Sequence, residues 1–156
     1  MKKVLPVAGI SLVLDQIIKI IVITNMDLYD SINIINNFFN ITYVRNTGAA
    51  WSILSGNTML LSVIALVALV LMYFYCIKDK LLTNFESISY GLLIGGAFGN
   101  LIDRMIHGYV IDYLDFKIFN YDFPVFNLAD ICIVIGVILI CISLIGGELN
   151  ERTKSL

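Results

Sequence analysis

The chain has 156 residues, one domain's worth, of which 59% are hydrophobic and only 14% charged. Water-soluble domains carry about 25% charged residues, so this composition, with a mean hydropathy of +0.90, excludes a surface solvated all round and requires lipid as part of the solvent. The net charge of −2 excludes a polybasic nucleic-acid binder.

Four apolar stretches, at about 4–23, 58–77, 88–106 and 126–145, approach the roughly 20 residues that cross a hydrocarbon core as helix. They predict one integral membrane domain over 1–156. The first follows Lys2 and Lys3 as a signal peptide would. It lacks a small-residue cleavage pattern and carries Asp15, Gln16 and Lys19 inside it, so it reads as a retained span. Asp15 and Lys19, four apart, share a helix face and can pair, which costs less in a membrane than either charge alone. An anchoring role is expected of them. In the loop at about 25–57, the alternation of Phe39-Asn40-Ile41-Thr42-Tyr43 predicts a short strand. The second span has no ionisable residue before Lys78 and is expected to face lipid.

The third span carries Gly91, Gly95 and Gly99 at four-residue intervals, a ridge that lets a neighbouring helix approach closely. Near its outer end, Asn100, Asp103 and Arg104 follow i, i+3, i+4 spacing. They are expected on one face, with Asp103 neutralising Arg104 and the guanidinium's other donors free for carbonyls or an anion. His107, the only histidine, reads as a solvated turn residue. Val110 to Phe119 is apolar with Asp112, Asp115 and Lys117 interspersed, and with the earlier strand suggests a structured platform at the interface. Asn127 and Asp130 open the fourth span. Cys76, Cys132 and Cys141 lie in apolar runs without a C-x-x-C and read as small hydrophobes.

Lysine and arginine set the expected orientation. One side would hold Lys2, Lys3, Lys78, Lys80, Arg152 and Lys154, and the other Arg45 and Lys117 with Arg104 at its edge. The positive-inside rule then places both termini in the cytoplasm and the loops at about 25–57 and 107–125 outside. Asp112 and Asp130 approach one membrane level from different elements. Two adjoining carboxylates do not both ionise easily, so one can act as acid and the other as base, as attack of water on a peptide carbonyl requires. Acids along a transporter or ion pathway, or in a non-catalytic scaffold, would be scattered similarly, so spacing alone leaves those readings open. A single histidine rules out H-E-x-x-H zinc ligation, and no G-x-S-x-G is present. No metal and no cofactor are expected.

Five segments, in order along nearly the whole chain, are similar to bacterial lipoprotein signal peptidases (signal peptidase II). They are Asp15-Gln16-Ile17-Ile18-Lys19, Asn46-Thr47-Gly48-Ala49-Ala50-Trp51, Gly95 through Arg104, Val110-Ile111-Asp112 and Phe126-Asn127-Leu128-Ala129-Asp130. Trp51 stands where the family often has Phe, which keeps an aromatic. The resemblance implies an aspartyl endopeptidase that removes the signal peptide of diacylglyceryl-modified prolipoproteins, cutting before the lipidated cysteine. It implies Asp112 and Asp130 as catalytic pair, and Asn46, Gly48, Asn100, Arg104 and Asn127 lining or supporting the substrate site. Asp15, Lys19 and Asp103 would hold the architecture. The expected fold class is all-α, four transmembrane helices with a small extracytoplasmic β-like platform and an interfacial loop. The expected setting is the bacterial cell membrane, with the active site near its outer face. A monomer is expected, its partners the lipid-modified prolipoprotein and membrane lipid, with no nucleic acid.

Overall fold

Apolar side chains cover the outside of the helices and polar ones fill the space between them. Helix α1 (Val4–Asn25) exposes Leu5, Ile10, Val13, Leu14, Ile17, Ile20 and Ile21 while burying Ser11, Asp15 and Lys19. That is the reverse of a soluble helix and follows if lipid is its solvent. The computed structural model describes residues 3–48, 54, 56–78, 81–119 and 121–154, with side chains as far as Gly146. Ala49, Ala50 and Trp51 lie outside the described residues.

Helix α2 (Thr58–Met72) continues into a π-helical turn at Tyr73–Ile77. Within α2 only Leu69 is buried, matching the expectation for the stretch without ionisable groups. Helix α3 (Asn84–His107) is fixed at both ends. Thr83 and Glu86 form a reciprocal capping box, and Gly108, at φ +77°, closes the C-terminus in the left-handed conformation that glycine adopts without strain. Helix α4 is Leu128–Lys154. It starts two residues later than the span expected from hydropathy, because Phe126 is bridged to Leu114 as a β-residue.

Helix α3 is the centre of the bundle, packed against α1, α4 and α2. Its glycines explain the closeness. A Cβ at Gly91 would meet Val7, at Gly95 Ser11 and the Ala8 carbonyl, and at Gly99 the Asp15 carboxylate. Gly96 and Gly136 perform the same service between α3 and α4. Among the described residues, three helical stretches are long and apolar enough to cross a membrane. They are Val4–Asn25 with mean hydropathy 2.0, Thr58–Ile77 with 2.7 and Leu128–Gly146 with 3.0. Helix α3 has 24 residues but spends many of them on glycine and polar groups turned towards α1 and α4.

The loops build a four-stranded antiparallel sheet in the order β1 (Ser31–Ile35), β2 (Phe39–Asn46), β3 (Val110–Ile118), β4 (Tyr121–Asp122). The all-α expectation is thus too narrow: the chain is mostly helical with a genuine sheet. Strands β2 and β3 come from the two loops that sequence patterning marked as a platform. A bulge between Ile41 and Val44 resets the register so that Val44 faces Asp112 and Asn46 faces Val110. Asn46 and Val44 share a strand face, which brings the Asn46 side chain diagonally onto Asp112. Val22 of α1 packs with Tyr43, Ile111 and Tyr113 of the sheet. Phe39 stacks on Phe116 at 4.5 Å and Phe116 on Phe126 at 5.7 Å, which clamps β3 to the start of α4.

Candidate active site

Asp112 and Asp130 are brought to one place by that clamp. Asp112, on β3, is 2% exposed, and Asp130, in the first turn of α4, is half-buried. Four amide and backbone donors hold the two carboxylates. Asn46 Nδ2 donates to Asp112 Oδ2 at 2.9 Å, and Asn127 Nδ2 to Asp112 Oδ1 at 2.6 Å. Asn100 Nδ2 donates to Asp130 Oδ1 at 2.8 Å, and the Asn127 backbone N–H to Asp130 Oδ2 at 3.2 Å. Asn127 Oδ1 accepts in return from the Asp130 N–H at 3.0 Å. That reciprocal pair is a capping box, so the residue that starts α4 also fixes the orientation of Asp130.

Burial pushes Asp112 up to about 7 from its ordinary 3.8, and the charge of Asp130 adds to the shift. The Asn46 and Asn127 hydrogen bonds and the Lys19 charge oppose it without prevailing. Two carboxylates coupled in this way can hold one proton between them near neutral pH, which supplies an acid and a base at one site.

Beneath the pair lies a second polar layer. Lys19 is ion-paired to Asp15 at 2.9 Å and to Asp103 at 2.8 Å, and all three are essentially inaccessible. Gln16 Nε2 donates to Asp103 Oδ1 at 3.0 Å and to the Gly99 carbonyl at 3.3 Å. The Asp15–Lys19 pairing accords with its spacing. The expected neutralisation of Arg104 by Asp103 is not what forms: Asp103 is taken by Lys19 and by the Ile111 N–H at 3.0 Å. Consecutive helix positions do not face one another, so Arg104 turns away and its Nη2 donates to the Gly48 carbonyl at 3.0 Å. Gly48 is itself held by its N–H to Asn46 Oδ1 at 2.9 Å.

A cleft of about 650 Å³ opens above the pair. Asn46, Asn100, Arg104, Asp112 and Asp130 form its polar floor, and its walls include Val44, Phe123 to Phe126 and the α4 residues Ile131, Val134 and Ile135. Val134 and Ile135 are exposed, so the cleft runs out sideways onto the lipid-facing flank of α4. Apolar walls around a few convergent polar groups are the usual make-up of a ligand site.

Every site residue expected from sequence lies in one connected network: Asn46, Asn100, Arg104, Asp112 and Asp130 at the cleft, Gly48 and Asn127 supporting it, and Asp15, Lys19 and Asp103 below. Two participants had no such expectation. Gln16 bridges the lower layer, and the Tyr113 hydroxyl accepts the Leu128 N–H at 3.2 Å. Gln16 was detectable as an amide inside an apolar stretch, whereas Tyr113 offers no signal because its partner is set by the sheet. His107, read as a solvated turn residue, is instead the last residue of α3, exposed and stacked on Tyr109, because Gly108 ends the helix one position later. Among the described residues, no three His, Cys, Asp or Glu side chains gather as metal ligands.

Lipid-facing helices around a carboxylate-floored cleft define a helical membrane protein with a preformed ligand site. The family model for signal peptidase (SPase) II matches residues 7–146. A lipoprotein signal peptidase of Staphylococcus aureus (strain JH9) is 42% identical over 150 residues, covering 96% of this chain and 92% of that relative. A solved bacterial membrane enzyme, determined in meso at 2.3 Å, superposes with a TM-score of 0.89 at 41% identity, covering 97% of this chain and 92% of its own. A second, at 1.9 Å, gives 0.82 at 42%, covering 92% and 93%. The chain belongs to the signal peptidase II family, and is therefore a peptidase of a bacterial membrane.

Proposed function

We propose that the chain is an aspartyl endopeptidase that removes the signal peptide from diacylglyceryl-modified prolipoproteins, cutting before the lipidated cysteine. The observation that carries this reading is the meeting of Asp112 and Asp130 on the floor of an apolar-walled cleft. The similar Staphylococcus aureus protein is a lipoprotein signal peptidase. The substrate's acyl chains would follow the exposed Val134–Ile135 flank while its peptide lies across the floor, within reach of Asn46, Asn100 and Arg104.

Asp112, with its pKa near 7, starts protonated and serves as the acid. Asp130 takes a proton from water as the water oxygen bonds to the scissile carbonyl carbon. Asp112 passes its proton to the carbonyl oxygen, giving a tetrahedral diol. Its collapse breaks the C–N bond as Asp130 returns its proton to the leaving nitrogen and Asp112 takes one from a diol hydroxyl, which restores both acids to their starting states. The products are a carboxylic acid on the signal peptide and a free amine on the lipidated cysteine.

In this reading α3 is the fourth span, hidden from lipid on its polar sides by α1 and α4. Both termini are cytoplasmic and the sheet lies outside as the platform that receives substrate.

Replacing either acid by its amide tests the mechanism. Asp112→Asn and Asp130→Asn should each lower cleavage of a lipidated prolipoprotein by about 10²–10⁴-fold, and the double variant should be hardly worse, since the pair acts as a unit. Asp115→Asn should cost far less: its carboxylate is engaged with Thr42 at 2.6 Å on the sheet, outside the cleft. Substantial turnover by either single amide variant, at matched amounts of folded protein, would remove the pair from the mechanism.

A further inference from the structure

Lys19 has three N–H donors and three acceptors: Asp15 Oδ2 at 2.9 Å, Asp103 Oδ2 at 2.8 Å and Asn100 Oδ1 at 2.9 Å. The next link in each direction is what sets it apart from a helix anchor. Asp103 Oδ2 also accepts the N–H of Ile111, the residue before Asp112. Asp15 Oδ1 accepts the N–H of Ala129, the residue before Asp130, at 2.9 Å. The third acceptor, Asn100, donates directly to Asp130. One ammonium thus connects, through two carboxylates and one amide, to the backbone beside both acids and to the side chain of one. Lys19 is 1% exposed and does not line the cleft, so it meets no substrate.

We propose that Lys19 is the positioning residue of the carboxylate pair, its single charge setting where Asp112 and Asp130 stand relative to each other. The proposal rests on the reading of those two acids as the catalytic pair. Electrostatics supply the reason for a cation here. Without it, Asp15 and Asp103 would be two buried anions repelling each other across the α1–α3 contact, drawing the Ile111 and Ala129 backbones with them. The same cation fixes Asn100 with its oxygen towards α1 and its NH₂ towards Asp130. Without it, Asn100 Oδ1 keeps only the longer bond from Asn127 Nδ2 at 3.2 Å, and the amide is freer to turn and present an oxygen to a carboxylate.

The role predicts a defect in the chemical step with binding intact. Lys19→Met and the charge-balanced Lys19→Met/Asp15→Asn should be compared with the parent in detergent. The probe is a synthetic peptide spanning the cleavage site and carrying a diacylglyceryl cysteine. At matched folded protein, kcat should fall by about 10²-fold, the scale of an ångström of misplacement at reacting groups, while affinity for the probe changes less than about threefold, since no substrate contact is removed. Unchanged kcat in a folded variant would overturn the proposal and leave Lys19 as an anchor. If neither lysine variant accumulates folded, Asp103→Asn decides. It is isosteric, keeps an acceptor for Ile111 and leaves Lys19 one carboxylate. A fall in kcat at constant affinity supports the proposal, and a parental kcat overturns it. Asp112→Asn run alongside separates the two ideas: if that variant is also active, the catalytic reading itself has failed, and not merely the role of Lys19.

Discussion

Asp112 is the residue in which fold and chemistry conflict. An acid whose folded pKa is raised gives stability that is complete below its unfolded value and is lost as pH rises through the folded one. For Asp112 that window runs from its ordinary 3.8 to about 7. The stability of the parent relative to Asp112→Asn should therefore decline as pH rises from about 4 to about 7.5. Thermal unfolding of both in detergent across that range measures it, and parallel curves would mean that Asp112 is not held protonated by the fold. In the proposed mechanism the same group sets the alkaline side: cleavage should fall as pH passes about 7 and the acid is lost. On the acid side protonation of its partner removes the base, so the profile is bell-shaped, with two apparent values belonging to the pair. The acids, amides and lysine of the apolar stretches could be read from sequence because they are costly there and announce themselves, whereas Asn46 and Gly48, between the first two spans, were named only by the family resemblance. The Asp15–Lys19 pair followed from four-residue spacing, but the partner of Asp103 did not. Asp103 stands next to Arg104 in the chain yet serves Lys19, because a helix turns adjacent side chains to different faces.

The elements tell the same story one level up. Gly91, Gly95 and Gly99 were legible as a packing ridge because their spacing alone puts them on one face, and α1 lies against it. Gly96 carries no such signature, since only the tertiary arrangement says that α4 approaches its side of α3. A Cβ there would press on the Ala129 carbonyl and come within 3.0 Å of Ile133 Cγ1 and 3.1 Å of Cys132 Cβ. A backbone carbonyl cannot swing aside, and Ala129 adjoins Asp130. Gly96→Ala should cost about 1–3 kcal/mol by overpacking and lower activity as α4 shifts. Gly9→Ala, where nothing lies within 4 Å, should stay within about 0.5 kcal/mol of the parent. Equal thermal stability of the two variants would show that α3 and α4 have room to spare at Gly96. Strand β1, like the two-residue β4, was not revealed by sequence. All five of its residues are exposed, so burial imposed no alternating pattern for a reader to find, and it is the pairing of Ile32 with Ile41 that makes it a strand.

Across the whole molecule, function is gathered at one end of the bundle. The sheet, the end of α1, the end of α3 and the start of α4 meet there, and the acids, amides and cleft with them. The opposite end holds the Thr83–Glu86 capping box, tied to α4 by the Ser143 hydroxyl donating to Glu86 at 3.2 Å. A bundle with two such different ends must be inserted one way round, and the lysines and arginines specify which. Lys3 and Lys78 flank the ends away from the sheet, with Lys2, Lys80, Arg152 and Lys154 on the same segments of the sequence, against Arg45 and Lys117 beside the sheet. In the proposed orientation the first group stays in the cytoplasm and the cleft lies at the outer face, where the proposed substrate, an exported and lipid-anchored chain, would present its signal peptide. Single cysteines test this in a background with Cys76, Cys132 and Cys141 replaced. Asn36 is exposed in the β1–β2 turn, and Leu81, fully exposed, precedes α3 at the other end. A membrane-impermeant maleimide should label cysteine at Asn36 in intact cells, and cysteine at Leu81 only once the membrane is opened. The opposite pattern would turn the molecule over and place its cleft on the cytoplasmic side, out of reach of a substrate already exported.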